Sequence, residues 1–536
     1  MDVLIGYADI DIDYVIDKMN RHCRSVDKKL RKVDILTGTN NSNYHDQLIA
    51  KRGFTFDEYL WLFDGGLDER QYHNYPVFNF LKIVTDVQRR YFTARYERTT
   101  EDYLKLIQKI KNPTIESFFS GKLGFYVPIS DRKRHTIILG ATGSGKTVMA
   151  KNLYYHTQTL TNHSIVCIDP HGDLARDILW FDTNRDSDKL IYIDPALEKG
   201  FTCVINPLQL KDRSDENVEV FTEHIIDVIE QTMPRNASFT AQMATILAPC
   251  VHVLLKKGDA TFHDLQRFMD DDRNADLVKL GLESDHRAFF ENLFFFKKYA
   301  TSKESIATRI QQLLNVRQFR QLTCGKSTID LESAMNRGKH VVVNLSKANV
   351  SEKIVPVIGR FIVSMMLGYA FKRARTDSYR RPTFLMMDEW QNFTSNKVQV
   401  ILDEARKFGL HLVLINQFID QITDNELKKS VKANTNVKII GKTDYSNFNY
   451  FRDSYGYTEE KAREVHGKIK NFHFLVKSGD KNPRIINGSA EIEKQKYKLT
   501  REEFESLKKK ILQKYYVPIG ENRQPTVDDL APKYGR

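Results

Sequence analysis

Thr136-Ile-Ile-Leu-Gly-Ala-Thr-Gly-Ser-Gly-Lys-Thr147 is the stretch that decides the fold. Its apolar opening, through Leu139, reads as a buried strand, and Val148-Met-Ala-Lys-Asn-Leu-Tyr-Tyr155 reads as a helix. Between them Gly140, Ala141, Thr142, Gly143, Ser144, Gly145, Lys146 and Thr147 match the phosphate-binding loop G-x-x-x-x-G-K-[ST] in the strand–loop–helix context that the motif requires. The glycines let the backbone curl until successive N–H groups point inward at an anion. Lys146 is placed to bridge the β- and γ-phosphates, and Thr147 to set its hydroxyl on Mg²⁺. The expected ligands are therefore ATP and Mg²⁺.

Outward from this loop the pattern is one of short apolar runs separated by helices. Ser164–Ile168 and Leu190–Ile193 read as strands ending at Asp-Pro turns. Strand signals then stop, and residues 212–335 carry helical periodicity throughout, with Phe clusters at 289–290 and 294–296. Strands resume at His340–Leu345, Thr383–Met387, Leu410–Ile415 and Val437–Ile440. Strands alternating with helices predict a mostly parallel sheet with helices on both faces, an α/β fold. The expected division is a largely helical accessory region over 1–115, a first part of a nucleotide-binding core over 116–211, an all-helical insertion over 212–335, the second part of the core over 336–490, and a basic tail over 491–536.

A nucleotide-hydrolysing site needs a carboxylate for the metal shell and a group that orients water. Phe384-Leu-Met-Met-Asp-Glu389 offers both at a strand end, with Asp388 for Mg²⁺ and Glu389 to polarise the attacking water. The next strand ends in Asn416-Gln417, so Gln417 can sense the γ-phosphate beside the Asp-Glu strand. Arg406, just before that strand, is a candidate to reach a neighbouring subunit's site and neutralise charge in the transition state; the plain alternative is a surface base near a helix end. Asp169, in Asp169-Pro-His-Gly-Asp-Leu174, ends the second strand and is a candidate for the metal or water network.

Composition narrows the partners. The formal net charge of +12 favours a polyanion. The segment Arg89-Arg-Tyr-Phe-Thr-Ala-Arg-Tyr-Glu-Arg98 mixes bases with rings, yet reads more readily as an amphipathic helix than as a nucleic-acid surface. The five cysteines are scattered without a CxxC pair, which argues for buried thiols in a reducing compartment and against a zinc site. Asp2, Asp9, Asp11 and Asp13 exclude a signal peptide by pattern. The most membrane-like run, Ile354–Phe371, contains Pro356 and Arg360 and is expected as a buried core helix, so no transmembrane segment is expected.

Taken together, the P-loop, Asp169-Pro-His-Gly-Asp-Leu174, Ile205-Asn-Pro-Leu208, Val342-Val-Asn-Leu-Ser346, Met387-Asp-Glu-Trp-Gln-Asn392, Glu404-Ala-Arg-Lys-Phe-Gly409 and Asn416-Gln417 resemble the TraG/TraD-type coupling ATPases of conjugation and type IV secretion, within the HerA/FtsK superfamily of DNA translocases. The resemblance covers roughly residues 130–445. It implies a RecA-like core with a helical insertion, a homo-hexameric ring with ATP at the subunit interfaces, and DNA in the channel. It also implies nucleotide-site roles for Lys146, Thr147, Asp388, Glu389 and Gln417, and a trans-acting role for Arg406. Coupling proteins usually carry N-terminal transmembrane helices. A chain without them is expected to be cytoplasmic, recruited to the inner face of the membrane by a secretion-channel or relaxase partner.

The expected function is an ATP-driven DNA translocase that grips DNA without sequence preference. Two alternatives stand beside it. One is a HerA-like motor for end processing, defence or viral genome packaging, set apart by its partner. The other is a nucleotide-switched ATPase that docks proteins, in which DNA would not stimulate hydrolysis.

Overall fold

The computed structural model describes residues 2–9, 122–185, 188–232, 239–375, 380–488 and 491–519. Four-residue runs of buried apolar side chains with no polar alternation cannot face water on either side, so they collect in a sheet covered on both faces. This is what the central strands do. In chain order the strands are β1 (Asp2–Asp9), β2 (Lys122–Pro128), β3 (Thr136–Leu139), β4 (Ser164–Asp169), β5 (Leu190–Ile193), β6 (Phe201–Thr202), β7 (His340–Asn344), β8 (Thr383–Met387), β9 (Leu410–Asn416), β10 (Val437–Ile440), β11 (His473–Ser478), β12 (Arg484–Gly488) and β13 (Val517–Pro518).

The main sheet has eleven strands in the order β2-β1-β12-β11-β10-β3-β9-β8-β4-β7-β5. From β10 to β5 every pairing is parallel. Each of these strands, from Thr136–Leu139 to Val437–Ile440, is buried along its whole length. The expected α/β class and the seven strands read from the sequence are present. Because β9 lies between β3 and β8, the P-loop strand and the Asp-Glu strand both border it.

Beyond β10 the sheet continues through antiparallel pairings of β11, β12, β1 and β2. Residues 2–9, placed by the sequence reading in a largely helical accessory region, instead form β1 and pair with segments that lie far away in the chain. A local pattern gives no sign of such partners. The remainder of 1–115, including the basic and aromatic segment at 89–98, lies outside the described residues.

Among the described residues, 212–335 contain helices and no strands, including Asp215–Glu230, Ala241–Lys257 and Ala300–Leu314. The helix Val355–Ala374 is the one described helix long and apolar enough to cross a membrane, and 78% of its apolar window is buried inside the protein. It packs along Asp215–Glu230, and Gly368 leaves room for the Phe221 ring, which would lie 2.8 Å from an added Cβ. Arg360, within this helix, donates to the Gln231 carbonyl. At the other end of the chain, the helix Arg501–Tyr515 begins with a capping box at Thr500 and Glu503. Its Phe504 stacks on Trp180 at 3.9 Å. Cys167, Cys203, Cys250 and Cys324 are free thiols.

Candidate nucleotide-binding site

Parallel strands present their C-terminal ends at one edge of the sheet, and ligand groups collect there. Leu139, Met387 and Asn416 end β3, β8 and β9 at that edge, so the loops that follow carry Gly140–Thr147, Asp388–Glu389 and Gln417 to one place.

The P-loop turns through left-handed backbone at Gly143 (φ 78°) and Gly145 (φ 97°), a conformation that side chains with a Cβ resist. Gly145 caps the helix Lys146–Leu160. The Ala141 N–H donates to Lys442 O at 2.8 Å, which ties the loop to the end of β10. The first N–H groups of that helix have no acceptor within it, and with the helix dipole they make a binding site for an anion. The Ser144 hydroxyl is buried and has no hydrogen-bond partner among the described residues. Lys146 Nζ donates to Gly140 O at 2.6 Å, so the ammonium already sits over the loop. Burial lowers its pKa, and the charges of Glu389 and Asp388 oppose that shift. Thr147 is exposed in the first turn of the helix.

Asp388 follows β8 directly, and its N–H donates to Ile168 O on β4 at 3.0 Å. Its carboxyl is pushed up to about 8, first by burial and then by the nearby charges of Asp169 and Glu389. Negative charges this close to Asp388 favour a cation beside it. No set of three or more His, Cys, Asp or Glu side chains among the described residues forms a metal cage. Mg²⁺ keeps several waters and commonly takes one or two carboxylates together with substrate phosphates.

Glu389 is buried and its backbone is left-handed at φ 43°, a strained conformation for a residue with a side chain. Two amides hold its carboxylate. Gln417 Nε2 donates to Oε1 at 3.0 Å and Gln391 Nε2 donates to Oε2 at 2.6 Å. The Gln417 carbonyl oxygen accepts from Thr142 Oγ1 at 3.2 Å, completing a chain from P-loop to Gln417 to Glu389. The sequence reading did not single out Gln391. The only signal for it was its place two residues after Glu389, in a segment that curls into the short 3₁₀ helix Trp390–Phe393.

Asp169 ends β4, as expected, and its charge acts on Asp388. It is fully buried, and its two oxygens accept the N–H groups of His171 and Ala175, each at 2.8 Å. A carboxylate so engaged braces the turn into the helix Asp173–Leu179 and reaches the site through its charge on Asp388.

Arg406 is the candidate that the fold does not bring to this edge. It is exposed in the short helix Ala405–Phe408 ahead of β9, whereas Gln417 follows the far end of that strand. Seven extended residues separate the two positions by about 20 Å. It cannot serve the site of its own chain.

The fold has counterparts among known proteins. A family model of the type IV secretion-system coupling protein DNA-binding domain matches residues 122–465. Among solved structures, the plasmid coupling protein TrwB in complex with ADP and Mg²⁺ is 16% identical, with a TM-score of 0.51 over 70% of this chain and 89% of that one. TrwB with the non-hydrolysable ATP analogue ADPNP is also 16% identical, with a TM-score of 0.50 over 68% of this chain and 86% of that one. The unbound bacterial conjugative coupling protein TrwBdeltaN70 is 15% identical, again with a TM-score of 0.50, over 68% and 86% of the two chains. Among curated proteins, none matches. At these identities the structural likeness speaks for the fold, a RecA-like α/β core. The family match spans well over half of the chain, residues 122–465 of 536, and so the protein belongs to the family of the type IV secretion-system coupling protein DNA-binding domain.

Proposed function

We propose that this protein is an ATP-driven DNA translocase, a coupling protein that draws DNA through a ring of its own subunits in a conjugative or type IV secretion system. The observation that carries the reading is the hydrogen-bonded chain Thr142–Gln417–Glu389 beside Lys146 and Asp388, in a chain of the coupling-protein family. On this reading residues 116–211 and 336–490 are the two parts of the motor core, and 212–335 is a helical domain inserted between them.

Each residue then has a task. Gly140–Gly145 and the helix start bind the phosphates through backbone N–H groups, and Lys146 leaves its loop carbonyls to neutralise the β- and γ-phosphates. Thr147 and Asp388 would hold Mg²⁺, which would supply charge neutralisation on the phosphate oxygens. Glu389, held by Gln391 and Gln417, accepts a proton from the attacking water. The amide of Gln417 bonds both the P-loop and the base, so presence or loss of the γ-phosphate alters the hold on Glu389 and on β9. Arg406, lying at the other end of β9, reaches the site of a neighbouring subunit. On this reading the nucleotide lies between subunits of a homo-hexamer, as the resemblance to coupling ATPases implies.

The relatives in complex with ADP and Mg²⁺ and with ADPNP support ATP and Mg²⁺ as the ligands here. The net charge of +12 supports a DNA partner held through its phosphates. A membrane channel or a relaxase is the proposed recruiting partner. The test is steady-state ATP hydrolysis with Mg²⁺, with and without single- and double-stranded DNA, across a salt series. Stimulation that fades with salt is expected. Hydrolysis indifferent to DNA at every salt concentration would refute the DNA motor and favour a protein-docking switch.

A further inference from the structure

Phe472 stands at the mouth of the P-loop in a way that packing alone does not explain. It precedes β11, whose first residues lie level with the C-terminal ends of β10 and β3, because Leu475 pairs with Ile440 and Ile440 with Leu139. Its backbone is left-handed, φ 63°, a cost for an aromatic residue. Two bonds fix it there: its N–H donates to Ser144 O at 2.9 Å, and its carbonyl accepts from Gly488 N at 2.8 Å. The ring lies against Gly145, where an added Cβ would come within 2.7 Å of Cδ1. Nevertheless the residue is 45% exposed. A large apolar ring is thus strained into place on the phosphate loop and left half open to solvent.

The direction of the ligand follows from the two sides of the loop. On the β9 side, Thr142 meets Gln417, which in turn holds Glu389, and these two are the groups assigned to the γ-phosphate end. On the β10–β11 side, Ser144 and Gly145 meet Phe472. A nucleotide whose terminal phosphate lies at the first set has its nucleoside at the second. We infer that Phe472 is a nucleoside-binding residue whose exposed ring face stacks on the purine base. This deepens the nucleotide-site reading and rests on it. A bare ring face accepts any base, so this contact adds affinity without selecting between adenine and guanine.

The test uses the full chain and displacement of a fluorescent ATP analogue by ATP, GTP and inorganic tripolyphosphate. Phe472→Gly removes the ring while suiting the left-handed backbone, so the turn on Ser144 is retained; Phe472→Tyr keeps the ring. We expect Phe472→Gly to weaken ATP and GTP about tenfold each, to leave tripolyphosphate unchanged, and Phe472→Tyr to match the parent protein. Unchanged ATP affinity in Phe472→Gly, or an equal loss for tripolyphosphate, would overturn the stacking role, the latter by showing that Phe472 only shapes the phosphate loop. If neither ATP nor tripolyphosphate displaces the analogue from the parent protein, the nucleotide-site reading itself falls, and this assignment with it.

Discussion

Replacing Asp388 with Asn separates the demands of stability from those of catalysis. Burial, and then the charges of Asp169 and Glu389, push the Asp388 carboxyl up to about 8 from an ordinary 3.8. Between those values the folded protein keeps a proton that the unfolded chain has released, so stability falls as pH rises through this window. Carried from pH 5 to pH 8, this one group withdraws about 3–4 kcal/mol, at about 1.4 kcal/mol per pH unit. Asp388→Asn has the same shape and no charge to release. Urea unfolding without nucleotide, at pH 5 and pH 8, should show the parent protein losing about 3–4 kcal/mol more than the variant over that interval. The variant should also fail to hydrolyse ATP, since its amide cannot serve Mg²⁺ as an anionic ligand. Parallel pH profiles for the two proteins would refute the argument that Asp388 is a crowded, desolvated acid awaiting a cation.

Other substitutions test single assignments. Lys146→Ala should lower hydrolysis at least about a hundredfold, because an ammonium over the β- and γ-phosphates is lost; turnover near the parent rate would remove Lys146 from the site. Glu389→Gln should bind ATP with little change and hydrolyse it about 10²–10⁴-fold more slowly, as measured by filter binding and single-turnover kinetics. Loss of binding would instead make Glu389 a structural residue. Gln417→Ala breaks both the bond to Thr142 and the bond to Glu389. It should reduce kcat far more than ATP affinity, and an effect confined to affinity would contradict its place between the γ-phosphate and the base. Mixing Arg406→Ala with Lys146→Ala protein should restore part of the hydrolysis that each lacks, and no recovery in the mixture would deny Arg406 its action on a neighbour.

Much of the core was legible because its strands are buried on both faces. Ile137–Leu139, Ile165–Ile168 and Leu412–Ile415 read as unbroken apolar runs followed by polar residues, and several of those ends form the site. That Gln417 comes at the end of the strand following the Asp-Glu strand in the chain was legible from the order of elements. The position of β9 between β3 and β8 was not legible, since strand order in a sheet is set by long-range packing. Nor were β1, β2, β11 and β12, whose pairings join residues 2–9 to 122–128 and 484–488. The finer features of the site share this property. The left-handed backbone of Glu389 and of Phe472 is imposed by contacts from elsewhere in the fold, and neither residue type announces it. Asp169 was legible as a strand-ending acid, but the backbone N–H groups whose hydrogen bonds its oxygens accept are not displayed by a sequence.

The central claim is that hydrolysis at this site moves DNA. The most direct measurement is displacement of a third strand from a triplex on a duplex track, by the parent protein with ATP and Mg²⁺ and by Glu389→Gln beside it. The account predicts displacement that requires hydrolysable ATP, weakens as salt rises, and is absent with Glu389→Gln. Robust hydrolysis by the parent protein with no displacement at any salt concentration would contradict it.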